Sequence, residues 1–452
     1  MQKAIYIAVV ILLSSIQKTD AQKLIQAGPM IGYTEFRTAK VWVEVSQEVN
    51  ELYITYAPID KQSETKTVKY RGKLGKKFNP VKMTLTGLQP GTQYKFTVTA
   101  RSEDEKQLRN STFKTQELWP YRKPAPDFNF IAGSCSYFND PEFDRPGKPY
   151  GSDHEIYNSM SRTGGDFMLW LGDNWYTRDV DYYSKWGLWN RAHFVRTQNK
   201  LDSLITSMPQ YAIWDDHDYG PNNFGKSYVY KDESRKVFKS YWANPSYGMD
   251  GKGIYTQFAY SDVAFFLLDD RTWRSSDDTK DSINGLPNIN KTMFGKEQLD
   301  WLKDALLQSR YSSFKIIVTG SQMLNTYSPY DCFYHFPVEY SELLSFIADN
   351  KIEGVVFLTG DRHHSEILKM ERVGHYALHE ITISSLTSKL YNASKQEQNM
   401  PTMIKRIEGK HNYGKISVTG KSGERLLTVT FYDKDGLEID KWSVNQKELK
   451  EP

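Results

Sequence analysis

The sequence predicts a chain of two folded parts, a small all-β sandwich followed by a larger layered α/β domain. Three observations carry that prediction. Residues 22–116 alternate apolar and polar side chains in run after run, as half-buried strands do. From residue 128 the pattern changes to short, wholly apolar runs separated by helical stretches, which is the signature of a layered α/β fold. Six of those runs end in Gly or Asp followed by a side chain able to hold a ligand, and in such folds sites form where the carboxyl ends of strands converge. A chain of 452 residues has ample material for more than one core.

Taken in order, Lys3, the apolar stretch from Ala4 to Ile16 and the small residues before Gln22 read as a secretory signal over residues 1–21, too short to span a membrane. Export is expected, to the periplasm or the exterior. Residues 39–45, 52–56 and 94–99 are strands of the sandwich. The stretch from Leu85 to Tyr94, with Leu88, Pro90 and Gly91, resembles the fibronectin type III signature, in which a tyrosine pins the start of a strand. With no concentrated titratable cluster, residues 22–116 read as a packing or spacing module; glycan or partner binding is the alternative. Residues 117–127, with Pro120, Pro124 and Pro126, form a stiff linker.

The second domain is expected over residues 128–446. Residues 128–132 end in Gly133, Ser134 and Cys135, and 167–171 end in Gly172, Asp173 and, shortly after, Tyr176. Between them Ser152 to Glu155 reads as a capping box opening a helix to about Arg162, which makes a βαβ unit. Residues 182–207 read as helical with an interruption at Gly187, and 231–242 as a helix with Val237, Phe238, Tyr241 and Trp242 on one face. Residues 211–214 end in Asp215, Asp216, His217 and Asp218; 263–268 end in Asp269, Asp270 and Arg271. Residues 315–319 end in Gly320, Ser321 and Gln322, and 354–358 lead to Gly360, Asp361, Arg362, His363 and His364. Residues 296–308 are helical, and Ser341 is expected to cap a further helix through Leu344 and Ile347. Strands follow at 376–385, 426–432 and 437–444, the last two a hairpin across Asp433 to Gly436, while the polar residues 389–415 suggest a surface excursion or flap.

A net charge of +3 with acids and bases nearly matched gives no basic surface for nucleic acid. The two cysteines, Cys135 and Cys332, would pair as a disulfide in an oxidising compartment, yet Cys135 stands among ligand-type residues, so a metal thiolate is the rival. Asp215, Asp216 and Asp218 around His217 repel one another as anions. Such a cluster persists most easily around a cation, the alternative being a solvated polar loop.

The segments Gly133 to Cys135, Gly172 to Tyr176, Trp214 to Asp218, Leu268 to Arg271 and Gly360 to His363, in this order and spacing, resemble the calcineurin-like metallophosphoesterases and, within them, the PhoD-type alkaline phosphatases. The resemblance spans nearly all of the chain after residue 21. It implies a fibronectin III-like sandwich ahead of an α/β/β/α metallophosphoesterase domain with a two-sheet core. It implies an exported hydrolase that attacks phosphate monoesters with metal-activated water. Asp173 falls on the carboxylate bridging two metals, with Cys135, Tyr176 and His363 completing one site. Asp216 takes the place of the usual ligand Asn, His217 falls on the catalytic histidine, and Asp361 and Gln322 stand where histidine ligands would be expected. Asp215 and Asp218 are candidates to hold their neighbours or to bind a further cation. Arg271, and less so Arg362, could grip a phosphate; a salt bridge of Arg271 to Asp269 or Asp270 is the alternative.

A thiolate, phenolate, imidazole and carboxylate together suit trivalent iron, and oxygen donors suit a hard divalent ion. Fe3+ with Ca2+ is the expectation, with Zn2+, Mn2+ or Mg2+ as alternatives. A phosphodiesterase or phospholipase-D-like hydrolase would use the same scaffold, and an inert secreted binding protein is a third reading. The expected partner is a phosphate ester, with no regulatory nucleic acid and no membrane span. His154, His335, His364, His375, His379 and His411 have no placed role.

Overall fold

A computed structural model describes residues 23–452. The expected signal at 1–21 lies outside the described residues. Strands Ile25–Thr34, Thr38–Val45 and Asn79–Thr86 form a three-stranded sheet that faces a four-stranded sheet of Lys66–Lys69, Glu51–Pro58, Gln93–Arg101 and Lys106–Lys114. The alternation seen in the sequence is what fills the space between them, with Val41, Val43, Leu52, Ile54, Phe96 and Val98 sharing one core. The amide of Gln89 donates to the Tyr94 hydroxyl at 2.8 Å, which is the tyrosine corner expected of a fibronectin-like strand start.

The sandwich is packed on its neighbour, not spaced from it. Ala27, Met30 and Trp42 belong to the core of the second part of the chain, and the Trp42 indole donates to the Ser240 carbonyl at 2.9 Å. Lys82 donates to the carbonyls of Lys239 and Trp242 from the same face.

Two sheets make the second part. The first runs in the order Gln210–Ile213, Phe167–Leu171, Phe128–Gly133, Asn412–Thr419, Leu426–Asp433, Glu438–Asn445, with the first three parallel and the rest antiparallel. The second runs Thr256–Tyr260, Val263–Leu267, Phe314–Thr319, Val355–Thr359, His375–Thr382, Ser365–Arg372, Met403–Ile407, with a parallel block from Val263–Leu267 to His375–Thr382. All six apolar runs are strands. Phe130 and Phe167 of the first sheet meet Phe265 of the second edge-on, at ring separations of 5.4 and 5.5 Å, and one core joins both sheets. Helices Ile156–Thr163 and Asn199–Ile205, from connections in the first sheet, pack on each other, as do Gly295–Gln308 and Pro337–Asp349 from the second. The result is the α/β/β/α arrangement that the resemblance implies.

Four local expectations fail for physical reasons. No capping box forms at Ser152: the helix begins at Ile156, Glu155 is its uncapped N-cap, and the Ser152 amide instead donates to the Thr387 carbonyl. Gly187 does not interrupt a helix. The breaks lie either side of Lys185–Arg196, whose Ser184 cap accepts from the Gly187 amide, and a Cβ at Gly187 would stand 2.3 Å from the Asp181 carbonyl. Ser341 lies inside Pro337–Asp349, because Pro337 suits a first turn that needs no amide donor. Residues 389–415 are not a flap alone, since they supply an edge strand, Met403–Ile407, and open the interior strand Asn412–Thr419. Their polarity misleads because it is satisfied inside: buried Asn412 accepts from the Ser365 hydroxyl at 2.6 Å and donates to the Ser384 carbonyl at 3.2 Å.

Candidate metal centre

The carboxyl ends of the parallel strands from both sheets meet at one place, and glycines let them close. A Cβ on Gly172 would stand 2.7 Å from Asp215 Cβ, and one on Gly320 would stand 2.5 Å from Asp215 Cγ. Beyond those ends the backbone turns sharply. Cys135, Asp173, Asp361 and His363 all adopt positive φ, at 62°, 52°, 66° and 57°. Each such residue costs on the order of 1 kcal/mol or more, and strain of this kind gathers where surrounding structure over-determines a site. The surroundings do so here: the Ser136 amide donates to the Asp173 carbonyl at 2.8 Å, and the His363 amide to the Ser384 hydroxyl at 2.9 Å.

Two sets of ligand atoms result. Cys135 Sγ, an Asp173 carboxylate oxygen and a His363 ring nitrogen lie within 4.8 Å of one another, all in buried residues. An oxygen of Asp173 and one of Asp216 lie as close to a His217 ring nitrogen. Asp173 is common to both sets. His363 Nδ1 donates to the Lys389 carbonyl, which assigns the tautomer and leaves Nε2 3.2 Å from the Tyr176 hydroxyl. The Ser384 hydroxyl donates to Cys135 Sγ at 3.2 Å, and the Tyr176 hydroxyl to Ser388 at 3.3 Å. On the other side, Asp216 accepts from the Asn223 amide at 2.8 Å, Asp173 accepts from the His217 amide at 3.2 Å, and the His217 ring lies 4.2 Å from that of Tyr176.

Asp215 and Asp218 stand behind these sets. Asp218 accepts from the amides of Asn174, Trp175 and Asp215, so one carboxylate ties the Asp173 loop to the Asp216 loop. Arg271 is wholly buried, donates to Asp215 at 2.6 Å and to Asp331 at 3.0 Å, and lies 3.8 Å from Asp270. It therefore pairs most closely with Asp215 and Asp331, and more distantly with Asp270, so the expected salt bridge is present on Asp270 but not on Asp269. Asp269 instead accepts from the Trp214 indole at 2.9 Å. Only Nη1 of Arg271 lacks a partner among the described residues.

Gln322 is not brought to either set. Its amide donates to Glu366 and Thr382, and its oxygen accepts from Arg362 and Asn325. Arg362 in turn grips Glu397 through two bonds of 2.8 and 3.0 Å. Asp361 belongs to neither set, but its carbonyl lies 3.6 Å from Cys135 Sγ. No disulfide forms: Cys135 and Cys332 are both free and buried, with the Cys135 thiol turned toward Asp173 and Ser384.

Charge divides the two sets. Burial, then the Asp361 charge, pushes the Cys135 thiol up to about 12; burial, then the carboxylates around it, holds Asp173 well above its ordinary range. Tyr176 moves the same way, for burial and the Asp173 charge. Burial lowers His363 to about 4, and burial with the charge of Asp331 raises Asp361 to about 8. Asp216 goes the other way: burial opposes its ionisation, but His217 and Arg271 outweigh it and hold the carboxyl below its usual value. A thiol, a phenol, an imidazole and a carboxyl, buried and facing one another, are a donor set that a cation would convert to anionic form, so the residues present fit a metal.

The sequence motifs do not point to Ser384, Ser388, Asp331 or Glu397, whereas Asn223, which could extend the metal loop or simply serve its turn, does donate its amide to Asp216. The two serines carried a signal, because the strand His375–Thr382 also ends in a run of hydroxyl residues. Asp331 carried none, since its loop has no pattern that points inward.

Comparisons with known proteins bear on the family and the fold. Residues 130–431 match a family described as PhoD-like phosphatase, and residues 22–118 match a domain of unknown function, DUF7800. Alkaline phosphatase D of Bacillus subtilis (strain 168) is 25% identical over 307 residues, covering 56% of this chain and 50% of that protein, so the match spans about half the relative's length. A solved structure of PhoD superposes with a TM-score of 0.77 at 17% identity, covering 95% of this chain and 92% of the other. The purple acid phosphatase PPD1 from yellow lupin (Lupinus luteus) seeds superposes with a TM-score of 0.65 at 11% identity, covering 92% and 74%. At these identities the structural likeness is one of fold.

Proposed function

The chain belongs to the PhoD-like phosphatase family, and from that premise we propose that it is a metal-dependent hydrolase of phosphate monoesters. The observation that carries this is Asp173, whose carboxylate alone belongs to both ligand sets. Cys135, Tyr176 and His363 would hold one ion with Asp173, and their anionic, strongly donating character favours Fe3+. Asp216 and Asp361 would supply oxygen donors to a second, hard ion, for which Ca2+ is the best fit. When bound, such a pair supplies Lewis acidity and an activated water for attack at phosphorus.

The chain's own groups do the rest. The Lys389 carbonyl and Ser388 keep His363 Nε2 turned inward. His217, packed on Tyr176 and held below its usual pKa by burial, would orient the phosphoryl oxygens or pass a proton to the leaving alcohol. Arg271 positions Asp215 and Asp331, and its one unpartnered nitrogen is the part left for a phosphate. We also take residues 1–21 as an export signal ahead of the 22–116 sandwich and the 128–446 catalytic part; among the described residues no helix is long and apolar enough to cross a membrane.

The test is elemental analysis and a visible spectrum of the purified protein, with rates on a monoester, a diester and a phospholipid, before and after chelation. Iron and calcium, a visible band lost in Tyr176→Phe, and monoester turnover abolished by chelation are expected. A colourless protein carrying zinc removes the iron assignment. Preference for the diester or phospholipid overturns the substrate class, and no turnover of any ester overturns the function.

A further inference from the structure

A cleft of about 450 Å³ lies where the sandwich meets the second part of the chain, and none of its lining residues belongs to either ligand set. Lys73, Lys76, Lys77 and Phe78 line it from the sandwich, and Trp186 and Trp189 line it from the helix Lys185–Arg196. Its volume falls within the roughly 300–1,000 Å³ of ligand-sized clefts. Phe78 packs against both indoles, near-parallel to Trp189 at 6.5 Å and tilted to Trp186 at 5.9 Å, so the domain contact itself fixes the aromatic wall. Trp189 is further held by donating to Glu233 at 2.9 Å. Trp186 remains 58% exposed, a large flat apolar face left open beside three cations.

Positive charge is concentrated in one stretch of the sandwich. Between residues 65 and 83 stand Lys66, Lys69, Arg71, Lys73, Lys76, Lys77 and Lys82, with no Asp or Glu among them. The lining has three lysines and no acid, in a chain whose net charge is only +3. An occupant must therefore carry negative groups and a flat, partly apolar ring face. A concave wall with a single widely exposed ring disfavours a membrane, which needs a protruding apolar surface. Single-stranded nucleic acid needs successive stacking platforms along a charged groove, and this cleft has one.

We infer that this cleft binds an acidic polysaccharide, with a sugar ring lying on Trp186 and carboxylate or sulfate groups against Lys73, Lys76 and Lys77. It is a binding site separate from the hydrolytic one, and it would hold the protein on an anionic matrix.

Affinity electrophoresis and calorimetry of the whole chain test this with polygalacturonate, dextran sulfate, neutral dextran, a single-stranded oligonucleotide and anionic phospholipid vesicles. Salt-sensitive binding of an acidic polysaccharide but not of dextran is expected. Trp186→Ala and the double variant Lys76→Ala/Lys77→Ala should each weaken it at least about tenfold, with Trp186→Phe retaining most of it. Hydrolysis of a soluble monoester and the melting temperature should not change in these variants. Binding indifferent to Trp186, preference for the oligonucleotide or the vesicles, or no binding of either acidic polysaccharide overturns the inference.

Discussion

The two sides of Asp173 hold charge in opposite ways. On the Cys135 side, Cys135, Tyr176 and His363 are supported by hydroxyls and a carbonyl, those of Ser384, Ser388 and Lys389, and none of them forms an ion pair among the described residues. Burial there pushes the thiol and phenol toward their neutral forms. On the Asp216 side a wholly buried arginine is already present, and Asp216 ionises more readily than an ordinary carboxyl. The lesson is that one side has anionic potential and no resident cation, which suits an ion of high charge. The other is partly neutralised before any ion arrives, which suits a weaker, oxygen-liganded one.

The largest expected effect breaks the comparison outright. Asp173→Asn removes the one carboxylate that both sides share, so both ions should be lost together and monoester turnover should fall at least about 1,000-fold, beyond what a single electrostatic donor usually supplies. Elemental analysis beside kinetics checks it, and retention of both ions would refute the shared role.

Next comes the buried arginine. Arg271→Met leaves Asp215 and Asp331 facing each other without their counter-charge, and should cost about 3–5 kcal/mol of stability in denaturant unfolding. In the metal-free protein Cys135→Ser should change stability by far less, because no buried charge loses its partner there. Equal losses would erase the distinction drawn between the sides.

The smallest effect sharpens it. Cys135→Ser should weaken one ion roughly 10- to 100-fold or more and spare the other, and Asp216→Asn should do the reverse. Competitive chelation followed ion by ion gives the answer; loss of the same ion in both variants would merge the two sides into one.

Much of this was legible from side chains alone. The apolar runs before Cys135, Asp173, Asp215, Asp269, Gly320 and Gly360 announced strands, and all six are strands. Cys135, Asp173, Asp216, His217 and His363 stand just after those runs, where the family resemblance also points, and they converge. Gln322 stands after a run of the same kind, yet Glu366, Thr382, Arg362 and Asn325 take up its amide. The start of the strand Asn412–Thr419 resembles a flap in sequence because its buried polar residues look like surface until their partners are known.

What the sequence alone determined is local: which residues alternate, which runs are apolar throughout, and which ligand-type side chains stand at their ends. Those properties follow from repeat distances of two and of 3.6 residues, which a short window contains. Tertiary structure alone decided that Arg271 pairs with Asp331, that Cys135 faces Asp173 instead of Cys332, and that Phe78 of the sandwich packs on Trp186 and Trp189. Each joins residues 60, 38 and more than a hundred positions apart, respectively. Such contacts are chosen by which buried charges and faces most need covering, and no stretch of neighbouring residues carries that information.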